Sequence, residues 1–209
     1  MLSENAEFAR KCRENDIKFI GPDGDTISKM GDKSTARQMM MKAGVPVVPG
    51  SDGAVKTPEE ALKVAERIGY PVLVKASAGG GGRGMRRADS PEELPTAMEQ
   101  AGMEAAAAFG DGTVYLEKLI INPRHIEVQV LGDQHHNVIH LGERNCSIQR
   151  RNQKMLEEAP AFGLQESTRK TLCEAAVAAA KACDYEGAGT VEFVMDDREN
   201  FYFIEMNTR

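Results

Sequence analysis

A chain of 209 residues, 41% of them hydrophobic, can bury a core for one domain or two small ones. Its formal charge of −6 argues against a nucleic acid or a membrane surface as partner, since neither a basic stripe nor an aromatic platform accompanies its arginines. No apolar run nears the roughly 20 residues that span a bilayer, and Cys12, Cys146, Cys173 and Cys183 show no C-x-x-C spacing, which predicts free, buried thiols in a soluble, cytoplasmic protein.

The first pattern is helical, from about Glu4 to Glu14; a strand Ile17 to Ile20 and a helix Lys33 to Lys42 follow, which is α/β grammar. Pro46, Pro49, Gly50 and Gly53 then break the chain. Thr57-Pro58-Glu59-Glu60 and Ser90-Pro91-Glu92-Glu93 each offer an N-cap, a proline at the first helical position and a capping-box glutamate, predicting a helix at each. With strands expected near 71–76, 85–88 and 113–119, residues from about 50 to 118 read as a compact α-β-loop-β-α-β unit able to move as a body.

Inside that unit the apolar run Tyr70-Pro71-Val72-Leu73-Val74 leads into Lys75-Ala76-Ser77-Ala78-Gly79-Gly80-Gly81-Gly82-Arg83-Gly84-Met85. Glycines populate positive φ, so consecutive backbone N–H groups can converge on one anion, and a triphosphate suits such a cradle. Gly79, Gly81 and Gly84 satisfy G-x-G-x-x-G, but a short second strand follows where a dinucleotide fold needs a helix. No Gly-Lys-Ser/Thr follows either, and His-Arg-Asp and Asp-Phe-Gly are absent, which leaves a strand–loop–strand lid or, less fittingly, a flexible linker.

Beyond the lid, Ile126-Glu127-Val128-Gln129-Val130 and Val138 to Leu141 flank a polar turn and read as a hairpin, with His135 and His136 as solvated turn residues. A helix is expected from Gln165 to Cys183, then a second hairpin of Thr190 to Met195 and Phe201 to Asn207. Folding it about its turn sets Glu192 opposite Glu205, with Asn207 on the same face. Alternation adds Val194, Phe201 and Phe203 to that face, and gives Val191, Phe193, Met195, Ile204 and Met206 to the other. Two carboxylates about 4 Å apart repel by ~4 kcal/mol at an effective dielectric of 20. Magnesium bridging Glu192, Glu205 and Asn207 to phosphate oxygens would reverse that sign; the bland alternative is two glutamates facing water at a sheet edge. The strand ends at Thr208-Arg209 without a turn or cap, which suggests a domain truncated there.

The combination of Gly31-Asp32-Lys33, the glycine lid, Glu117-Lys118, Asn122-Pro123-Arg124-His125, Glu143-Arg144-Asn145-Cys146-Ser147-Ile148-Gln149-Arg150-Arg151, Glu157-Glu158-Ala159-Pro160 and Glu205-Met206-Asn207-Thr208-Arg209 resembles the biotin carboxylase family. The motifs run in family order across essentially the whole chain. The resemblance implies an ATP-grasp fold of the α+β class, truncated at both ends. Residues 1–32 would end an N-terminal subdomain and 33–209 form an incomplete ATP-grasp domain, in which two subdomains hold MgATP, with manganese able to replace magnesium. By the same resemblance Lys33 and Lys75 contact the ATP phosphates, and the backbone around Gly80, Gly81 and Gly82 closes over them. Glu117, Lys118, Leu119 and Ile120 hold adenine, His125 lies along the nucleotide, and Gln149 and Asn152 join the nucleotide site. Glu192 and Glu205 bind nucleotide through metal. Lys154 helps to bind bicarbonate, and Arg209 stabilises negative charge on carboxyphosphate and on the biotin enolate. Without the family, Gln149, Arg150, Arg151 and Lys154 beside Glu157 and Glu158 read as a solvated ion-pair face.

The reaction implied is ATP-driven carboxylation, with bicarbonate, of biotin on a carrier protein, whose partners are carboxyltransferase subunits; a homodimer is also implied. Acetyl-CoA (the entry to fatty acid biosynthesis), propionyl-CoA, methylcrotonyl-CoA and pyruvate carboxylation share this half-reaction. Two departures stand out. Asn152 replaces a histidine common in the family, and Ala78 a common first lid glycine. The missing family segments, including a glutamate base and a biotin-side arginine, predict weak or no turnover by this chain alone. A carbamoyl-phosphate synthetase-like ligase and a nonenzymatic ATP-binding module remain as alternatives.

Overall fold

The computed structural model describes residues 2–77, 84–151 and 153–209, the Ser34 side chain apart. They form two compact units, one of residues 1–47 and 122–209, the other of residues 48–121. No helix among the described residues is long and apolar enough to cross a membrane.

The first unit starts with three helices, α1 (Ala6–Glu14), α2 (Gly24–Gly31) and α3 (Lys33–Lys42). Each is opened by a side-chain cap: Asn5 accepts from Phe8 N at 2.8 Å, Asp23 from Thr26 N at 2.7 Å and Asp32 from Thr35 N at 2.7 Å. Such caps satisfy donors that the first helical turn leaves free. The capping aspartates made α2 legible, yet the sequence reading passed over it. The expected strand Ile17 to Ile20 is not one. An apolar run becomes a strand only where a neighbour completes its ladder. No described strand lies beside it, and Ile17 and Ile20 stand 60% and 88% exposed.

The same unit holds a five-stranded antiparallel sheet in the order β6-β5-β4-β7-β8. Its strands are β4 (Arg124–Gly132), β5 (Val138–Arg150), β6 (Gln153–Glu158), β7 (Gly187–Met195) and β8 (Phe201–Thr208). The long helix α6 (Glu166–Ala182) packs against β4, β5 and β7, and α3 against β8. Ile126, Val128, Val130, Val191, Phe193, Met195, Phe203 and Met206 meet Met40, Leu172, Ala176 and Ala180 in one buried core. The other face carries the polar residues of the site. Cys146, Cys173 and Cys183 are buried free thiols, whereas Cys12 is half-buried. Burial pushes Cys146 and Cys183 up to about 12 and Cys173 to about 11.

Residues 48–121 carry α4 (Pro58–Ile68), β1 (Val72–Ala76), β2 (Met85–Ala88), α5 (Leu94–Phe109) and β3 (Val114–Lys118), with sheet order β2-β1-β3. Val72, Val74, Ala88, Val114 and Leu116 pack under Ala61, Ala65, Leu94, Ala97 and Ala101 of the two helices. Helix α4 starts as expected, with Thr57 Oγ1 accepting from Glu60 N at 3.2 Å. Helix α5 does not start at Ser90-Pro91 but at Leu94, and Glu93 reaches back to Asp89 N at 2.8 Å. The reason is Pro95: in a helix begun at Pro91 its missing N–H would face the Pro91 carbonyl, whereas one position into the first turn it costs nothing.

Candidate active site

The β7–β8 hairpin, at one edge of the sheet, holds two opposed carboxylates. Glu192 on β7 pairs directly with Glu205 on β8, and Asn207 Nδ2 lies 2.5 Å from Glu192 Oε1. The register then shifts between Glu192 and Phe193, so Phe193 faces Phe203 and Met195 faces Phe201. This β-bulge corrects the alternation read from sequence. Ile204 is the extra residue and is exposed. Phe201 and Phe203 rejoin the core, their rings edge-to-face with Phe193 at 5.5 and 6.4 Å. One inserted residue therefore keeps aromatics inside and carboxylates outside on the same strand.

Neighbouring strands bring partners to Glu192. Lys154 Nζ on β6 lies 2.6 Å from Glu192 Oε1, and His125 Nε2 on β4 lies 2.8 Å from Oε2. The Gln149 amide donates to Cys146 O at 2.9 Å and lies 3.1 Å from His125 Nδ1. Nδ1 thus accepts and the ring proton sits on Nε2, toward Glu192. That last contact is close but lacks the alignment of a hydrogen bond.

Glu127, only 1% exposed, lies on the same face of β4 as His125. One carboxylate oxygen bonds the Lys154 ammonium and the other the Arg144 guanidinium. Arg144 also contacts Gln129 Oε1 at 3.2 Å and Glu157 at 3.3 Å, and Gln129 donates to Gly189 O at 2.8 Å. Within this lattice burial pushes the Glu192 carboxyl up, but the close His125 ring and the Lys154 ammonium outweigh it and hold it at about 2. Burial likewise opposes the charged Lys154, and the two carboxylates more than compensate, raising it above an ordinary lysine.

Ligand atoms of His125, Glu127 and Glu192 lie within 4.8 Å of one another. The Lys154 ammonium bonds both carboxylates, so a cation already serves that cluster. Glu205 differs, because its side chain has no ion pair or hydrogen bond among the described residues. A half-buried, unpartnered carboxylate directly opposite a buried one, with an amide two residues on, is a hard-oxygen donor set that fits magnesium.

Comparison with known proteins places this arrangement. Residues 32–209 match the family profile described as carbamoyl-phosphate synthase L chain, ATP binding domain, and residues 1–27 match biotin carboxylase, N-terminal domain. The chain belongs to the biotin carboxylase family. It is 62% identical over 208 residues to biotin carboxylase 2, chloroplastic, of Populus trichocarpa, covering 100% of this chain and 40% of that one. The crystal structure of a biotin carboxylase–β,γ-ATP complex from Campylobacter jejuni superposes with a TM-score of 0.90 at 59% identity, over 100% of this chain and 47% of that one. The biotin carboxylase domain of the 2-oxoglutarate carboxylase of Hydrogenobacter thermophilus, a dimer with MgADP, ADP and bicarbonate, superposes at 0.88 with 57% identity, over 100% and 46%. The ATP-grasp fold is thereby established, and the chain spans less than half the length of these relatives.

The other residues expected from the biotin carboxylase motifs fall in several places. In residues 48–121, Lys75 Nζ lies 2.7 Å from Glu117 Oε2, and the Lys75 and Glu117 side chains are only 23% and 13% exposed. Burial works against the Lys75 charge, but Glu117 and Tyr115 outweigh it and raise this lysine too. Lys118 Nζ bonds the carbonyls of Gly69 and Tyr70 at 3.0 and 2.6 Å, which ties it to the end of α4. Leu119 and Ile120 follow the end of β3 outside any strand and are half-buried. In the other unit Lys33 is exposed at the first position of α3. Arg209 is exposed, its Nη1 3.9 Å from Glu4 Oε1 rather than at the Lys154 lattice. Gly80, Gly81, Gly82 and Asn152 lie outside the described residues. A cleft of about 400 Å³ lined by Arg10, Phe19, Gly24 and Gln134 contains none of the site residues. Sequence reasoning missed Glu127, Arg144 and Gln129 as site residues; the signal was alternation itself, which sets His125, Glu127 and Gln129 along one face of the central strand.

Proposed function

We propose that this chain carries the catalytic face of an enzyme that uses ATP and bicarbonate to carboxylate biotin on a carrier protein. The supporting observation is the Lys154–Glu192 lattice opposite unpartnered Glu205. It offers an ammonium for an anion and hard oxygens for a metal within one sheet face. The Hydrogenobacter domain, whose structure holds MgADP and bicarbonate, supports the ligand set.

In this reading bicarbonate oxygen attacks the γ-phosphorus of ATP, ADP leaves, and carboxyphosphate forms; its breakdown releases phosphate and delivers CO₂ to the N1′ of biotin, which loses its proton. Magnesium, when bound, neutralises phosphate charge. Glu192, Glu205 and Asn207 would hold it. Lys154 binds and orients bicarbonate, held in place by Glu127. His125, fixed by Gln149, lines the nucleotide with Asn152. Lys33, Lys75 and the backbone at Gly80, Gly81 and Gly82 take the phosphates, and Glu117 to Ile120 takes adenine. Arg209 stabilises negative charge on the carboxyl donor once its side chain leaves Glu4. The glycine lid belongs to the subdomain of about residues 50–118.

Partners in this reading are a biotin carboxyl carrier protein, carboxyltransferase subunits and a second copy of the chain, in the cytoplasm. The carbamoyl-phosphate synthase profile over residues 32–209 favours one second reading, a ligase that passes the same intermediate to ammonia. Calorimetric titration with ATP, with and without Mg²⁺, tests the site: magnesium-dependent binding that Glu205→Ala abolishes supports it, and binding indifferent to both sinks it. Bicarbonate-dependent ATP cleavage coupled to free biotin rather than ammonia separates the two ligases, and little turnover is expected from the 209 residues alone.

A further inference from the structure

Glu192 is 5% exposed and fully engaged: Lys154 and Asn207 share Oε1, and His125 faces Oε2. Glu205 opposite has no ion pair or hydrogen bond among the described residues. A metal arriving at this pair meets one open carboxylate and one already neutralised by an ammonium. Two cations on one carboxylate oxygen repel strongly in a shielded site.

We propose that Lys154 is a resident counter-cation of Glu192, and that a divalent metal displaces it and so hands its ammonium to an oxyanion. The proposal rests on the metal and bicarbonate assignment above and adds a coupling to it. The released lysine keeps its place, because Glu127 holds it through one oxygen while Arg144 holds the other. It exchanges one carboxylate oxygen of β7 for an oxygen of the anion. Asn207 turns in the same event: with Oε1 of Glu192 given to metal, its amide presents Oδ1 in place of Nδ2. Among the described residues Glu127, Glu192 and Glu157 outnumber Lys154 and Arg144 by one charge, and Glu205 adds a second negative charge. A dication cancels that excess, so the ammonium released from Glu192 can take a monoanion such as bicarbonate. Metal and anion bind with positive, reciprocal coupling.

Manganese provides the probe, because free Mn²⁺ is counted directly by electron paramagnetic resonance. It is titrated alone into the 209-residue chain, with and without bicarbonate. Lys154→Met is expected to bind Mn²⁺ about tenfold more tightly than the parent, within the usual range of site-to-site coupling. Bicarbonate should tighten Mn²⁺ binding by the parent and leave Lys154→Met unchanged. Should Lys154→Met unfold, as judged by circular dichroism, the charge-balanced Glu127→Gln/Lys154→Met variant carries the same expectation. Equal or weaker Mn²⁺ binding by the folded variant, or a bicarbonate effect that survives loss of the lysine, overturns the displacement and leaves the metal site standing. No Mn²⁺ binding by the parent or either variant removes the metal site and the displacement together.

Discussion

The three-stranded sheet of residues 48–121 and the five-stranded sheet of the other unit both bury one face under helices, and they differ in the face left over. The smaller sheet has regular ladders on both sides of β1, and its open face carries one shielded ion pair, Lys75–Glu117, beside an exposed one, Arg87–Asp89. The larger sheet shifts register within three of its four ladders, and its open face carries Glu127, Arg144, Lys154, Glu192 and Glu205. Irregular backbone and cross-linked charge occur together. A strand with strict alternation can offer a polar face only by accepting whatever its neighbour's register dictates, and bulges free it from that constraint. The regular sheet carries one shielded pair; the bulged sheet is built around its charges.

The largest test of that contrast is to remove the bulge. Deleting Ile204 forces either Phe203 and Phe201 out of the core or Glu205 and Asn207 off the site face. The expected result is a chain without a cooperative urea transition, whereas Ile204→Ala, at an exposed position, should cost about 1 kcal/mol or less. A cooperative, near-parental transition in the deletion variant would show that the register can slip without penalty. Next in size is the loss of one carboxylate from each open face. Glu127→Ala takes the shared buried carboxylate from two half-buried cations and should destabilise by about 3–5 kcal/mol. Glu117→Ala removes the described carboxylate partner of partly shielded Lys75 and should cost about 1–3 kcal/mol. Equal losses by urea denaturation would break the distinction between lattice and pair.

This bulge also marks the limit of what the sequence disclosed. The Glu192–Glu205 opposition followed from turn position and a two-residue period, and both were readable. Ile204 looks like any other apolar strand residue, so nothing local announced that it was the extra one; the choice is made by the joint packing of Phe193, Phe201 and Phe203. Helices α3, α4 and α6 were legible through caps and periodicity. The start of α5 was readable as well, had Pro95 been weighed against Pro91. Strand Ile17 to Ile20 failed for the opposite reason, since its pattern was correct but pairing is not a local property. Glu127 and Arg144 stayed hidden because a charged residue alternating along a strand is most often solvated. Only the sheet order, which lines up β6, β5, β4 and β7, turns them into a shielded lattice.

A third, smaller effect separates the two sheets by pH. Glu192 titrates near 2 when folded against an ordinary 4.5, so its contribution to stability is complete above pH 4.5 and is lost as pH falls toward 2. Lys75 and Lys154 are both raised, so each contributes below 10.5 and ceases to do so as pH rises through its folded value. The alkaline loss is thus common to both sheets, and Glu192 adds an acid loss to the lattice. Urea midpoints at descending pH should show the parent losing up to about 3 kcal/mol more than Glu192→Gln, in line with a shift of that size. Parallel acid limbs would place the charge of Glu192 outside the stability of the fold.

The smallest expected effect lies in the turns of the larger sheet, which contains two copies of one design. In Asp133 to Asn137 the aspartate backbone N–H donates to the asparagine carbonyl at 2.9 Å, while its carboxylate accepts from the N–H groups two and four residues on and from the asparagine amide. Asp196 to Asn200 repeats every one of these bonds. Each turn also places its fourth residue at positive φ, His136 and Glu199, both at 63°. Glycine adopts that conformation without steric cost, so His136→Gly should gain up to about 1 kcal/mol. Glu199 is not equivalent, because its Oε1 accepts from Gln165 N at 3.2 Å, at the start of α6, where Gln165 supplies no side-chain cap of its own. Glu199→Gly therefore relieves the backbone but uncaps α6, a loss of about 1 kcal/mol that should cancel the gain. Paired thermal melts decide the matter: stabilisation by the first variant alone assigns Glu199 to the helix, and equal stabilisation by both reduces it to a turn residue like its counterpart.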